Sequence, residues 1–273
     1  MFSKTAIFLL RGGLGNQLFQ FCALGQLSKD IDIRLYVSDI DTHGLTRGSG
    51  GTESLELDIG SLFGPSNTPV IMGAKTRTLV RFLVASNKRL GLPSFIYVDD
   101  LKTLELNRFF LMQGYFQNFR IPAAFNLSTL NTFIFGSDSL QSSERIKDVA
   151  CVHIRRSDYP LSGIARYDRN YYLNAIDDLA RLGIRTFDCY SDDLVAAQEL
   201  FPKSNKIKVR FPERESKLTS IELLRKMSLY NYTIASQSSL SWWSSYMAFR
   251  NYSKVVIKSN WNHDLDFFRS NNY

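Results

Sequence analysis

An α/β fold in two halves is the architecture this chain predicts, on three observations. Apolar strand-like runs alternate with helical runs along the chain. Unusual polar clusters recur just after those apolar runs, where open α/β sheets bind ligands. Finally, 273 residues are enough for two compact halves, each burying its own core. With 44% hydrophobic and 22% charged residues, the composition excludes a disordered, collagenous or low-complexity chain.

The elements follow in order. Residues 5–10 (TAIFLL) read as a buried strand, RGGLGN as a tight turn, and Gln17 to about Lys29 as a helix striped by Leu18, Phe19, Cys22, Ala23 and Leu27. The run IDIRLYV is a second strand, which completes a βαβ unit, and a Gly/Ser/Thr-rich loop spans Thr42 to Thr52. Residues 71–92 mix Lys75, Arg77 and Arg81 with Leu79, Val80 and Phe82, the pattern of a basic amphipathic helix, for which packing on the core is favoured over a membrane-surface face. Residues 121–148 are less periodic and end in charged SSERIKD, so the boundary is set there: one domain over 1–145, another over 146–273. In the second half the strands are ACVHI, TFDCY, IKVRF, YTIAS and KVVIK, and the helices YYLNAIDDLARL, TSIELLRKMSLY and SLSWWSSYMAF. Each half is thus Rossmann-like.

The formal net charge is +7, with the excess mostly in the second half, which fits an anionic partner or a solvated basic surface equally. Cys22, Cys151 and Cys189 form no CxxC pair and are flanked by apolar residues, which makes them buried hydrophobes in a reducing compartment. The opening MFSKTAIFLL is too short for a signal peptide or a span, and no later run reaches membrane length; a cytoplasmic protein is expected. The sequons at Asn126, Asn231 and Asn251 then carry no glycan.

Four clusters carry the chemistry. In RGGLGNQ, Gly12, Gly13 and Gly15 permit positive φ and close ligand approach, and the following helix offers N–H groups for phosphate. The frame is neither GxGxxG, since Leu18 stands at the third small position, nor a P-loop. In HIRRSDY, His153, Arg155, Arg156 and Asp158 crowd one strand end; one arginine could clamp a diphosphate while the other braces Asp158 or Asp192. Ser191, Asp192 and Asp193 suit sugar or ribose hydroxyls, or pairing with those arginines, better than a metal, because the spacing is not DxD and the three histidines form no ligand cluster. In SQSSLSWW, serines open a helix that could hold phosphate, and Trp242 or Trp243 either stacks on a base or sugar or belongs to the core.

GGLGNQLFQ, HIRRSDY, YSDD and SSLSWW occur in the order and approximate spacing of bacterial α-1,2-fucosyltransferases, glycosyltransferase family eleven, which this chain resembles over nearly its whole length. The resemblance implies a GT-B fold: two facing Rossmann-like domains, the first on the acceptor side, the second on the GDP-fucose side, with the active site in the cleft between them. It implies inverting transfer of L-fucose from GDP-β-L-fucose to the 2-hydroxyl of a terminal β-galactoside, with no required metal and no cofactor beyond the donor.

Carried over by position, Arg155 and Arg156 match the pair gripping the diphosphate, His153 sits close to the nucleotide, and Asp158 orders the site. Ser238 and Ser239 match serines near the phosphates, Gly12, Gly13 and Asn16 belong to the N-terminal loop, and Trp242 completes the last motif. Gln237 stands where the family usually shows Asn, Leu240 where it shows Phe, and Glu222, a candidate nucleotide or sugar contact, where a relative would have Asp. Arg155 is expected to stabilise charge on the departing GDP, with Asp158 the candidate base.

The resemblance further implies a role in O-antigen or other surface polysaccharide synthesis, and an acceptor that is galactose-terminated and can be lipid-linked. Lys75, Arg77 and Arg81 would then form a basic face for peripheral association with the inner membrane surface. Two other classes stay open on the residues alone. Asp39 at the end of the second strand suits an NAD-type oxidoreductase, and the arginines with Trp242 and Trp243 suit a basic nucleotide or nucleic-acid binding module.

Overall fold

The computed structural model describes residues 4–8, 10, 12–29, 33–38, 59–63, 70–72, 96–98, 109–112, 114–136, 145–155, 169–201, 206–212, 218–252 and 255–259. The chain divides into two compact units, Met1–Ser139 and Leu140–Tyr273.

The first unit contains β1 (Lys4–Phe8), α1 (Leu14–Leu27), β2 (Ile33–Ser38), a 3-10 turn (Ile59–Leu62), β3 (Val70–Met72), β4 (Ile96–Val98), β5 (Phe109–Met112), α2 (Arg120–Ala123) and α3 (Leu127–Phe135). Its five strands are parallel, in the order β3-β2-β1-β5-β4. Helix α1 is buried on almost every side, which its apolar run Leu18, Phe19, Phe21, Cys22, Ala23 and Leu24 requires. Asn126 caps α3 by accepting from the Thr129 N–H at 2.7 Å.

Several expectations change here. Helix α1 begins at Leu14, three residues before Gln17, so Asn16 and Gln17 belong to its first turn. Only Gly12 of the three glycines has a positive φ, +80°; Gly13 is extended at −71° and Gly15 is helical. Val70–Met72 is a strand where the helical reading of 71–92 began; residues 73–92, with Lys75, Arg77 and Arg81, lie outside the described residues. The less periodic stretch from residue 121 holds α2 and α3, two helices too short to show a full apolar stripe.

The second unit contains β6 (Ile146–Ile154), α4 (Arg169–Arg181), β7 (Thr186–Ser191), α5 (Leu194–Leu200), β8 (Lys208–Arg210), α6 (Ser220–Met227), β9 (Tyr230–Ile234), α7 (Ser239–Asn251) and β10 (Val256–Lys258). The strands are again parallel, ordered β10-β9-β6-β7-β8. Counted within the unit this is the 3-2-1-4-5 arrangement of a Rossmann sheet, with its switch point between β6 and β9.

Strand alternation sorts the second core onto two faces. Ala150, Val152 and Ile154 with Phe187 and Cys189 pack against Tyr172, Ala175, Ile176 and Leu179, the i, i+3, i+4, i+7 stripe of α4. On the opposite face Cys151, Tyr190 and Tyr230 meet Met227 of α6. Cys22, Cys151 and Cys189 are all buried thiols. Among the described residues no helix is long and apolar enough to cross a membrane.

Candidate active site

Three strand ends meet at the carboxyl edge of the second sheet. Ile154 on β6 pairs with Ser191 on β7, so the residues that follow, Arg155 and Asp192, emerge side by side. Arg155 Nε lies 3.1 Å from Asp192 Oδ2, and both side chains keep partial contact with solvent. Ser191 is buried, and its hydroxyl closes the turn into α5: it donates to the Asp193 carbonyl at 3.1 Å and accepts from the Asp193 N–H at 3.0 Å.

His153 occupies the switch point. Its ring is buried, with Nδ1 3.1 Å from Ser236 Oγ, the hydroxyl two residues beyond β9. Burial first, and the neighbouring Arg155 guanidinium second, push the imidazole pKa down to about 4; Asp192 opposes weakly. The ring is therefore neutral at physiological pH, so the positive charge of this rim is carried by arginine.

Ser236 also donates its N–H to Ser241 Oγ at 3.1 Å, tying the strand end to the first turn of α7. Ser238 is the N-cap of α7 and Ser239 its first residue. Ser238 makes no side-chain cap bond, so its hydroxyl does not satisfy the first-turn amides, the groups that give a helix N-terminus its affinity for anions.

Two candidate residues are placed elsewhere, each for a clear reason. Trp242 is fully buried, its ring stacked on Tyr246 at 4.6 Å between centroids, and Trp243 is equally buried; neither ring face is open to a base or sugar. Glu222 is an exposed member of a capping box: it accepts the Thr219 N–H at 2.8 Å while Thr219 Oγ1 receives the Glu222 N–H. That contact holds its carboxylate below the usual range. Arg156, Asp158 and Asp39 lie outside the described residues.

The N-terminal motif lies at the carboxyl edge of the first sheet. Gly12 takes the left-handed conformation; its carbonyl accepts from Gln17 Nε2 at 2.8 Å. A Cβ on Gly12 would fall 2.6 Å from Asn16 Nδ2 and 3.1 Å from Tyr115 Cε1, so only glycine fits. Asn16 Oδ1 in turn accepts from Gln117 Nε2 at 2.6 Å.

Sequence reasoning placed Ser236 in the serine cluster without its His153 partner, and missed the run GYFQN after β5 because FFLM was not recognised as a strand. It also missed a buried polar network on the α6 face. Asp188 accepts both Nε and one terminal nitrogen of Arg210 at 2.5 and 2.7 Å, and the Tyr230 hydroxyl at 2.7 Å, which lies 2.8 Å from Tyr190 Oη. Among the described residues no group of three His, Cys, Asp or Glu side chains is gathered as metal ligands.

This arrangement defines the class of open α/β proteins that carry their ligand at the carboxyl edge of parallel sheets. The chain belongs to glycosyl transferase family 11, whose family model matches residues 101–272, more than half of it. None of the curated proteins matches it. Among solved structures, the fucosyltransferase NodZ from Bradyrhizobium is similar at 10% identity over 90% of this chain and 93% of that one, with a TM-score of 0.47. A mutant FUT1 of Arabidopsis thaliana in complex with GDP is similar at 10% identity over 90% and 68%, TM-score 0.44. A family 9 glycosyl transferase from Veillonella parvula follows at 9% identity over 96% and 87%, TM-score 0.41.

Proposed function

We infer that this family 11 member is an inverting, metal-independent fucosyltransferase, moving L-fucose from GDP-β-L-fucose to the 2-hydroxyl of a terminal β-galactoside. The observation that carries the reading is the Arg155–Asp192 pair beside a neutral His153, on the rim where a Rossmann-like sheet binds nucleotides. Family membership and the four motifs support it.

The chemistry follows from charge. The galactoside oxygen attacks the fucose C1, the C1–O bond to the β-phosphate breaks, and its electron pair leaves with GDP. Arg155, held by Asp192, and the first-turn amides of α7 would take up that charge. Arg156 is assigned to the same diphosphate, and Asp158 to the hydroxyl proton. We assign the reaction to surface polysaccharide synthesis at the cytoplasmic face of the inner membrane, on a galactose-terminated and lipid-linked acceptor.

Product formation is the test: GDP-fucose with a set of β-galactosides, with and without EDTA, on wild type and Arg155→Ala. EDTA-insensitive α-1,2-fucosylation that collapses in the variant supports donor, linkage and mechanism together. Absence of GDP-fucose binding would overturn the reading.

A further inference from the structure

We propose that the loops following β1 and β5 form a saccharide subsite, in which Tyr115 is the platform and the Asn16–Gln117 carboxamide pair reads two hydroxyl groups. The inference deepens the reading above and rests on it for the sugar's role as acceptor.

Its position is that of a ligand site. In the order β3-β2-β1-β5-β4 the chain first steps outward from β1 through β2 to β3 and then returns to the other side, so the crevice between β1 and β5 is the switch point of this sheet. The hydrogen bond from Gln117 Nε2 to Asn16 Oδ1 spans that crevice.

The chemistry is that of neutral hydroxyls. Because Gln117 donates to Asn16, the pair keeps Asn16 Nδ2 as a donor group and Gln117 Oε1 as an acceptor group, neither of which takes a hydrogen bond among the described residues, and Gln117 Nε2 keeps a second N–H. Donor and acceptor groups on two linked carboxamides match sugar hydroxyls, each of which can both give and accept. The pair carries no charge, whereas the second sheet presents Arg155 and Asp192. A diphosphate suits the charged rim and a saccharide suits this one.

Tyr115 completes the match. It is 39% exposed between buried Gly114 and buried Phe116, and its ring edge lies over Gly12. The exposed part of this tyrosine, beside the amide pair, offers apolar ring surface to the C–H face of a pyranose. The backbone is committed to presenting it: Phe116 has φ +52°, a conformation rare for a bulky residue, and its side chain is anchored against Phe8 with centroids 5.6 Å apart. An unmet acceptor marks the same turn, since Gln17 Oε1, on the carboxamide that binds the Gly12 carbonyl, is buried with no donor among the described residues.

Calorimetry of methyl β-galactoside binding to the whole protein, with GDP present, tests the subsite. Wild type is expected to bind, Tyr115→Ala and Gln117→Ala to bind at least about tenfold more weakly, about 1.4 kcal/mol, and Tyr115→Phe to keep most of the affinity. GDP affinity, measured in parallel, should not move. Equal galactoside affinity in all variants, no galactoside binding by wild type, or a matching fall in GDP affinity would each overturn the subsite. If wild type fails to bind GDP yet binds galactoside through Tyr115, the GDP-fucose reading fails and the subsite stands.

Discussion

Arg155 Nε and Asp192 Oδ2 lie 3.1 Å apart because the strands that carry them are parallel and in register at Ile154 and Ser191. A guanidinium partly open to solvent is thereby aimed by a carboxylate from the neighbouring strand end. Arg155→Ala is expected to lower kcat/KM by about 10² to 10³, the effect of losing one donor to developing charge. Asp192→Asn, which leaves Arg155 present but unaimed, should cost about fivefold, equivalent to about 1 kcal/mol. Steady-state kinetics on the two variants checks the order, and an Asp192 effect equal to that of Arg155 would contradict it.

His153 makes stability depend on pH. Its folded pKa, about 4, lies below the ordinary 6.5, so the unfolded chain binds more protons between those values. Its contribution to stability is complete above about 6.5 and is lost as pH falls towards about 4, by up to about 3 kcal/mol. Urea titrations from pH 4 to 7 should show this slope in wild type and a shallower one in His153→Gln.

Trp242 is core. Trp242→Ala should destabilise by about 3–5 kcal/mol through loss of its buried ring. Trp242→Phe, which preserves packing on Tyr246, should leave GDP affinity unchanged. A selective loss of GDP binding in the folded Phe variant would restore the stacking role.

Neighbouring glycines should respond oppositely. Gly12→Ala forces a side chain into positive φ against Asn16 and should cost about 1–3 kcal/mol. Gly13 is the extended N-cap of α1 with open space at its Cβ, so Gly13→Ser should gain a few tenths of a kcal/mol. Thermal melts compare them directly.

The Asp188–Arg210 pair ties edge strand β8 to the sheet interior. Arg210→Met leaves a buried carboxylate with only Tyr230 to satisfy it and should cost about 2–3 kcal/mol, below the range for a fully buried pair because Arg210 is half exposed. A double-mutant cycle with Asp188→Asn should show strong coupling.

The alternation of strands and helices in the second half is legible locally, because long runs such as ACVHI and the 3.6-residue stripe of α4 declare their own period. Equally legible is that the polar motifs follow strands, hence that His153, Arg155, Asp192 and Ser238 share one sheet edge. Strands β3, β4 and β5, three or four residues each, were illegible, since so short an apolar run has no period. Which motif residues stay at the sheet edge and which turn into the protein depends on packing between distant segments. Trp242 went to the core because neighbouring packing, and not its motif, sets helix rotation; Glu222 went to its own helix cap because the Thr219 amide was three residues away. Pairings such as Gln117 with Asn16 and Ser236 with His153 arise from strand order, which brings together residues 101 and 83 positions apart and leaves no trace in local sequence.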